Sequence, residues 1–205
     1  MASQRFPRAR EPLADPRLAG VLVSTARLKR RLRTLAGEIA AAEPAGGGGG
    51  LLLLGVLNGA FIFCADLARE LRRAGLAGVS YGFIKTSAYG DSLKNGTAPA
   101  VRLDYAPEGL RGRRILLVED LLDQGATLRF LKQELTGRLG VAELRICVLL
   151  RKRLAGAAHQ AQSETAPDFV GFEIPDRWVV GYGLDAAGQY RDLPFIAAVH
   201  EEYFR

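Results

Sequence analysis

The chain has 205 residues, of which 48% are hydrophobic and 24% charged, and these proportions exclude a disordered or fibrous protein. No stretch of about 18 apolar residues occurs, so we expect no transmembrane span. Lysine and arginine exceed aspartate and glutamate by 28 to 22, which gives a net charge of +6 and raises nucleic-acid binding as a possibility.

The N-terminal third contains a polar arm, a basic helix and a glycine connector. Residues 1–16 are polar and contain proline, which is typical of a loose arm, and no apolar stretch follows to indicate a secretory signal. Residues 25–42 carry leucines at helical spacing and a basic cluster at 27–33, which predicts an amphipathic helix. A solvated helix face is the favoured interpretation of the cluster, and a polyanion-binding face is the minority one. Residues 46–50 are all glycine and predict a flexible connector.

Buried strands and helices alternate through the middle of the chain, which favours an α/β fold with a mainly parallel sheet. The predicted strands are residues 51–57, 79–84, 101–105, 115–118 and 144–150, and the predicted helices after the first are residues 60–74 and 127–139.

Two other segments do not follow this alternation. Residues 86–99 are polar and long, which is typical of a functional lid or of disorder. Residues 168–199 have strand-like runs and little helix, and they predict a smaller subdomain with a closing strand.

Cysteine and histidine give little support to metal or redox chemistry. Cys64 and Cys147 both lie in apolar segments, so buried reduced thiols are favoured over a disulfide. His159 and His200 are isolated in the sequence, which excludes a zinc cluster. A cytoplasmic location fits these features.

Residues 115–127 are the most informative segment, because a buried strand there ends in the acidic pair Glu119 and Asp120, followed by Asp123 and Gly125. Ligands of open α/β sheets bind at the carboxyl ends of strands, and a glycine at a helix start suits a phosphate. The acids would repel that phosphate unless they bind a cation or sugar hydroxyls, so a phosphorylated sugar accommodates all of these groups. A capped helix, with Asp123 as N-cap and the two acids exposed, fits the spacing equally well.

Several motifs resemble one family. Residues 118–127 (Val-Glu-Asp-Leu-Leu-Asp-Gln-Gly-Ala-Thr) resemble the phosphoribosyl-pyrophosphate motif of type I phosphoribosyltransferases. Residues 168–185 and 190–194 are similar to the purine-binding region of the hypoxanthine(-guanine) phosphoribosyltransferases. Further matches occur in the same order, at residues 56–61, 87–90 and 150–153.

The resemblance implies the type I phosphoribosyltransferase fold: a mainly parallel central sheet flanked by helices, with a small hood and a mobile lid loop. It implies one domain over residues 1–205, with the lid at 85–100 and the purine-binding hood at 168–192. The implied reaction belongs to purine salvage. With bound Mg²⁺, 5-phosphoribosyl passes from 5-phosphoribosyl 1-pyrophosphate to N9 of hypoxanthine or guanine, giving IMP or GMP and pyrophosphate. We also expect a homodimer or homotetramer, with no membrane or nucleic-acid partner.

Position matching assigns the donor site. Asp123 corresponds to the family's general acid/base carboxylate near purine N7, and Arg191 suits pyrophosphate through its bidentate guanidinium. The acidic pair would hold the ribose hydroxyls, the amides of residues 123–127 the 5′-phosphate, and Asn58-Gly59 the pyrophosphate, on a loop with a non-proline cis peptide. The implied donor-binding residues are Asn58, Gly59, Glu119, Asp120, Asp123, Gln124, Gly125, Ala126, Thr127 and Arg191.

The same matching assigns the acceptor site. Lys152 would donate to the purine 6-oxo group, which favours 6-oxopurines over adenine because an ammonium can only donate. Trp178 would stack on the base, and Val179 would contact its edge through the backbone. Without the resemblance, a solvated lysine and a core aromatic are the favoured interpretations of the first two residues. Asp185 would contact the purine edge and bind Mg²⁺ mainly through water.

The remaining implied residues complete the metal site and the lid. Glu119 and Asp120 are further candidate metal residues, and Ala88 and Tyr89 lie on the lid. A closed lid would exclude the water that hydrolyses the donor.

Three residues depart from the family pattern: Asn58 stands where many relatives have lysine, Ala88 where a serine is usual, and Gln124 where threonine or serine is usual. Gln124 and the basic helix at 27–33 motivate an alternative, a nucleotide sensor or RNA-binding regulator that has lost turnover. Asp123 argues against it, because a sensor has no need of a proton acceptor. We therefore expect activity, and a preference for xanthine is a weaker third possibility.

Overall fold

The computed structural model describes residues 15–44, 50–89 and 100–203. Its strands, in chain order, are β1 (Leu18–Val23), β2 (Leu52–Leu57), β3 (Ser80–Tyr89), β4 (Ala100–Tyr105), β5 (Arg114–Leu122), β6 (Glu143–Arg153), β7 (Phe169–Pro175), β8 (Val179–Val180) and β9 (Ile196–Val199). Its helices are α1 (Thr25–Ala42), α2 (Phe61–Arg73), α3 (Ala126–Gln133) and α4 (Gly156–Ser163), with a π-helical turn at Glu134–Arg138 and a 3₁₀ turn at Glu201–Tyr203.

The central sheet has six strands in the order β4-β3-β2-β5-β6-β7. All of its neighbouring strands run parallel except β3 and β4, which are antiparallel. The chain leaves β2 toward β3 on one side and later returns to β5 on the other. The strand order therefore reverses between β2 and β5, which is where open α/β sheets bind ligands. The predicted α/β fold with a mainly parallel sheet is confirmed.

Helices cover both faces of this sheet, because the strands are apolar on both sides. Helix α1 buries Leu28, Leu35 and Ile39 with α2 in one core cluster. Helix α3 and the turn after it bury Leu128 and Leu135 in a second cluster. The predicted amphipathic helix at 25–42 is confirmed at both ends, and at its N-terminus the Ser24 side chain accepts a hydrogen bond from the Arg27 amide.

A second sheet has three antiparallel strands in the order β1-β9-β8. Strand β1 was not predicted, because only eight residues separate the expected arm from the basic helix. The expected assignment of residues 168–192 to the hood is wrong for Phe169–Pro175. That strand pairs in parallel with β6 and forms an edge of the central sheet.

The lid region also differs from expectation at its ends. Residues 85–89 continue β3, and Ala100 begins β4, with Tyr89 paired to Ala100. These residues were expected in a polar loop, but antiparallel pairing satisfies their backbone groups. The rest of the predicted lid, residues 90–99, lies outside the described residues, as do the arm up to residue 14 and the connector at 45–49.

Other predictions concerned the cysteines and membranes. Cys64 and Cys147 are free and buried, as expected, and burial raises the pKa of the Cys64 thiol to about 11. Among the described helices, none is both long and apolar enough to cross a membrane.

Candidate active site

The carboxyl ends of β2, β5 and β6 bring together most of the residues singled out from the sequence. Asn58 and Gly59 follow β2, the acidic pair and Asp123 lie at the end of β5, and Lys152 is near the end of β6. These strands are neighbours in the sheet, so their ends meet at one edge. The site therefore lies at the position where the strand order reverses.

In the acidic pair near the end of β5, Glu119 is buried and Asp120 is half-buried. Glu119 is only 8% exposed, and its Oε2 atom is buried without a hydrogen-bond partner. Burial, followed by the charge of Asp120, holds the pKa of Glu119 well above its usual range. Burial also raises the pKa of Asp120, although hydrogen bonds and the charge of Arg191 oppose this shift. The pair therefore favours one bound proton, a cation or a hydroxyl donor over two bare charges.

The loop after β2 packs against this pair. A Cβ atom on Gly59 would overlap the Asp120 carboxylate, and a Cβ atom on Gly183 would overlap the Gly59 carbonyl oxygen. Glycine is therefore required at both positions. The peptide bond between Leu57 and Asn58 is cis, which confirms the expected non-proline cis peptide of this loop.

The segment 123–127 forms a loop that enters a helix. Gly125 has φ of +80° and acts as N-cap of α3 without any side-chain cap hydrogen bond. A side chain at this φ would be strained, and its Cβ atom would lie 3.0 Å from the Thr165 hydroxyl. The first amides of α3 are thus available to an anion. The capped-helix alternative is wrong, because the Asp123 side chain turns instead to Lys152.

Lys152 forms ion pairs with two carboxylates. Its Nζ atom lies 2.9 Å from Oδ2 of Asp123 and 3.0 Å from Oδ1 of Asp176, and its side chain is 12% exposed. Burial lowers the pKa of Lys152, but the hydrogen bonds to the two carboxylates outweigh this effect and raise it. The solvated-lysine alternative is therefore wrong.

A cavity of about 340 Å³ opens beside this ion pair. Trp178 lines it and is 38% exposed, so the core-aromatic alternative is wrong. Asp176 and Arg177 were not predicted as site residues, although both lie in the matched segment directly before the tryptophan. The full lining consists of Leu121, Asp123, Lys152, Asp176, Arg177, Trp178 and Val179.

Asp185 and Arg191 form one unit rather than two independent side chains. The Arg191 Nη2 atom lies 2.6 Å from Asp185 Oδ1, and Nη1 donates to the Gly183 carbonyl oxygen at 2.7 Å. The Gly188 amide donates to Asp185 Oδ2 at 2.7 Å. The charge of Arg191 also acts on the pKa of Asp120, so this unit belongs to the same site.

The other predicted residues are less defined. Gln124 is exposed and Thr127 half-buried on the loop. Val179 pairs with Ala198 in the small sheet, and its side chain is buried. Ala88 and Tyr89 belong to β3 by their backbone.

The chemistry of the acidic pair fits a divalent cation that arrives with a phosphorylated substrate. In the part of the chain that the structure describes, no group of three or more His, Cys, Asp or Glu side chains could hold a metal by itself. Mg²⁺ typically binds through one or two carboxylates and substrate phosphates while keeping several waters. The unpartnered Oε2 of Glu119 is compatible with such a cation or with a sugar hydroxyl.

Residues 22–187 match the model of the phosphoribosyl transferase domain. The chain is 36% identical over 194 residues to the hypoxanthine-guanine phosphoribosyltransferase of Mycobacterium avium, which covers 92% of this chain and 89% of that protein. It is 35% identical over 179 residues to the hypoxanthine phosphoribosyltransferase of Salmonella typhimurium, covering 87% of this chain and 94% of the relative.

Two solved structures are similar along nearly their whole length. The hypoxanthine phosphoribosyltransferase of Trypanosoma cruzi, in complex with the product IMP, has a TM-score of 0.76 and 30% identity, covering 96% of this chain and 99% of that one. The hypoxanthine-guanine phosphoribosyl transferase of L. donovani has a TM-score of 0.78 and 34% identity, covering 92% of this chain and 100% of that one.

Proposed function

The chain belongs to the phosphoribosyltransferase family, and we propose that it is a purine-salvage enzyme that transfers 5-phosphoribosyl from 5-phosphoribosyl 1-pyrophosphate to N9 of hypoxanthine, guanine or both. The products are IMP or GMP and pyrophosphate. One observation carries the proposal: Asp123 and Lys152 lie 2.9 Å apart at the wall of a cavity next to an open helix N-terminus.

The acceptor base occupies the cavity beside Trp178, whose ring stacks on it. Lys152 donates a hydrogen bond to the 6-oxo group, and the Asp123 carboxylate takes part in proton transfer at N7. Both side chains leave their mutual ion pair to do so, and the base replaces the lost contact. The backbone carbonyl groups of Val179 and Asp185 contact the opposite edge.

The donor occupies the loops at the ends of β2 and β5. The 5′-phosphate is bound by the amides of residues 123–127, including those of Gln124, Gly125 and Ala126, with the Thr127 hydroxyl. Arg191 and the Asn58-Gly59 loop bind pyrophosphate, which stabilises the departing charge. The acidic pair holds the ribose hydroxyls, and the Ala88-Tyr89 segment belongs to the lid over the reacting centre.

Glu119, Asp120 and Asp185 are the residues that would hold Mg²⁺. The buried Oε2 of Glu119, which lacks a partner, supports this assignment. Bound with the donor, the ion would neutralise phosphate charge as pyrophosphate leaves.

A homodimer or homotetramer is part of the proposal. Phe61 and Tyr81 are 54% and 71% exposed and lie in a groove of about 850 Å³ between α2 and β3. Exposed apolar patches of this kind mark protein interfaces. Phe61 begins α2, shortly after the Asn58-Gly59 loop in the sequence. Tyr81→Glu should shift sedimentation toward a monomer, whereas Tyr105→Glu, at an exposed tyrosine outside the groove, should not. We also place the enzyme in the cytoplasm, which the free buried thiols support.

Turnover tests the function directly. The chain, incubated with 5-phosphoribosyl 1-pyrophosphate, Mg²⁺ and equal amounts of hypoxanthine, guanine, xanthine and adenine, should give IMP, GMP or both, and no AMP. XMP as the main product would replace the proposed specificity by the xanthine alternative. If no nucleotide forms and the chain binds RNA in a salt-sensitive way, the RNA-binding regulator would be favoured. None of the relatives named above supports that alternative.

A further inference from the structure

Gln162 lies behind the Asp123–Lys152 pair and is not among the residues singled out from the sequence. It belongs to α4, and it is one of the few buried polar side chains of the described residues, with 5% exposure. Its Nε2 atom donates to the carbonyl oxygens of Asp123 at 2.8 Å and Lys152 at 2.9 Å. A third acceptor, the Leu122 carbonyl oxygen, lies 3.3 Å away.

The Gln162 amide, on helix α4, lies beside the end of the β5–β6 ladder of the central sheet. Strands β5 and β6 pair in parallel, and their last pair is Leu122 with Arg151. Asp123 directly follows the last residue of β5, and Lys152 is the next residue of β6, so both lie beyond the end of this ladder. The Gln162 Nε2 atom donates to the carbonyl oxygens of both residues and so connects the two segments beyond the end of the ladder.

The three carbonyl acceptors determine the orientation of the Gln162 side-chain amide. Carbonyl oxygens only accept hydrogen bonds, so the amide nitrogen and not its oxygen must face them. A buried donor contact of this kind is costly to remove, because unsatisfied carbonyls remain behind.

We propose that Gln162 is a positioning residue that sets the spacing of Asp123 and Lys152, and thereby of the two side chains that bind the purine base. The inference rests on the proposed function, because only a purine acceptor uses both side chains at once. Gln162 contacts neither substrate itself. It fixes the backbone from which both side chains project, and small displacements of such side chains strongly lower the reaction rate.

The hydrogen bonds of Arg129 near the same loop can be compared with those of Gln162. Arg129 donates through Nη1 to the carbonyl oxygens of Gln124 at 2.8 Å and Ala161 at 2.6 Å. Arg129 belongs to α3, and it therefore ties the phosphate-binding part of the loop to helix α4. Gln162 should affect the purine base, and Arg129 should affect the phosphorylated donor.

The test compares Gln162→Met, which keeps the length but removes the donor, with Gln160→Met at an exposed position of the same helix. Gln162→Met should lower kcat/KM for hypoxanthine about 10- to 100-fold, with a raised KM for the base and a donor KM within about threefold of the wild type. Arg129→Met should show the opposite split. Gln162→Glu, which presents an acceptor to three carbonyls, should be at least as impaired as Gln162→Met and replaces it if the methionine variant does not fold.

A merely structural role predicts a different pattern. Reduced folding would lower the melting temperature and scale down kcat while leaving both KM values unchanged. That pattern, or the same KM split in the Gln162 and Arg129 variants, would overturn the proposal. If the wild type makes no nucleotide, the proposed function fails instead. The crystal structure of Gln162→Met then decides the positioning claim, because the Asp123 and Lys152 carbonyls must move apart.

Discussion

The Lys152 ammonium lies 2.9 Å from the Asp123 carboxylate, so the two groups assigned to the purine base already form an ion pair with each other. Asp176 adds a second carboxylate to the same ammonium at 3.0 Å. A purine that offers an acceptor at position 6 and a nitrogen at position 7 can replace the first pair group by group. The site is therefore preorganised for a base with these two features.

Asp123→Asn should lower kcat about 10²- to 10⁴-fold, because the amide cannot accept a proton at the rate the carboxylate can. The KM for the donor should change little, since the loop amides remain. Steady-state kinetics with hypoxanthine provide the measurement. Wild-type kcat in the variant would exclude Asp123 as the acid/base group.

Lys152→Gln should raise the KM for hypoxanthine roughly 10- to 100-fold, the range for a lost hydrogen bond from a charged group. It should also reduce the preference for hypoxanthine over adenine, because the amide oxygen can accept from a 6-amino group. Lys132→Gln, at an exposed lysine of α3, serves as control and should behave as the wild type. Equal effects of the two changes would count against a purine contact for Lys152.

Gly59→Ala should abolish nucleotide formation, because the new methyl group would overlap the Asp120 carboxylate and displace the pyrophosphate loop. Gly37→Ala is the matched control, since a Cβ atom there meets nothing within 4 Å in helix α1. The control should be stabilised by about 0.5–1 kcal/mol through its higher helix propensity. Turnover and urea unfolding of both variants check the two expectations, and full activity of Gly59→Ala would contradict the described packing.

The raised pKa of Glu119 has a consequence for stability. A carboxyl group whose pKa is higher in the folded than in the unfolded state binds more protons when folded. Its stabilising contribution to the free energy of unfolding is therefore lost as pH rises above about 4.3 toward the folded pKa. Glu119→Gln removes this dependence and should flatten the free energy of unfolding between about pH 4.5 and pH 7.5. Glu108→Gln, at an exposed position, should leave the wild-type slope. Urea unfolding without ligands measures it, and an unchanged slope in Glu119→Gln would contradict the assigned burial.

Regular hydrophobic patterns and clear end signals of helices and strands made much of the fold predictable. The basic helix from Thr25 to Ala42 has both an apolar stripe and a capping serine, so its bounds followed from the sequence. The strand before Glu119 is a continuous apolar run with a polar end, which predicted both its burial and the position of the site. Neither inference needs information from distant parts of the chain.

Other features depend on distant partners and could not be predicted in the same way. Strand β1 exists because it pairs with β9 near the other end of the chain. Helix α4 is short, and its only buried residue is Gln162, so it has no apolar stripe to detect. The Lys152 ion pairs join residues that are 29 and 24 positions apart, and local sequence alone suggested a solvated lysine.

A crystal structure of the chain with IMP would show directly whether the proposed site binds a purine nucleotide. We expect the 5′-phosphate on the amides of residues 123–127, the 6-oxo group within hydrogen-bond distance of Lys152 Nζ, and the base against Trp178. Phosphate bound elsewhere, with the Lys152–Asp123 ion pair intact and the cavity beside Trp178 empty, would contradict it.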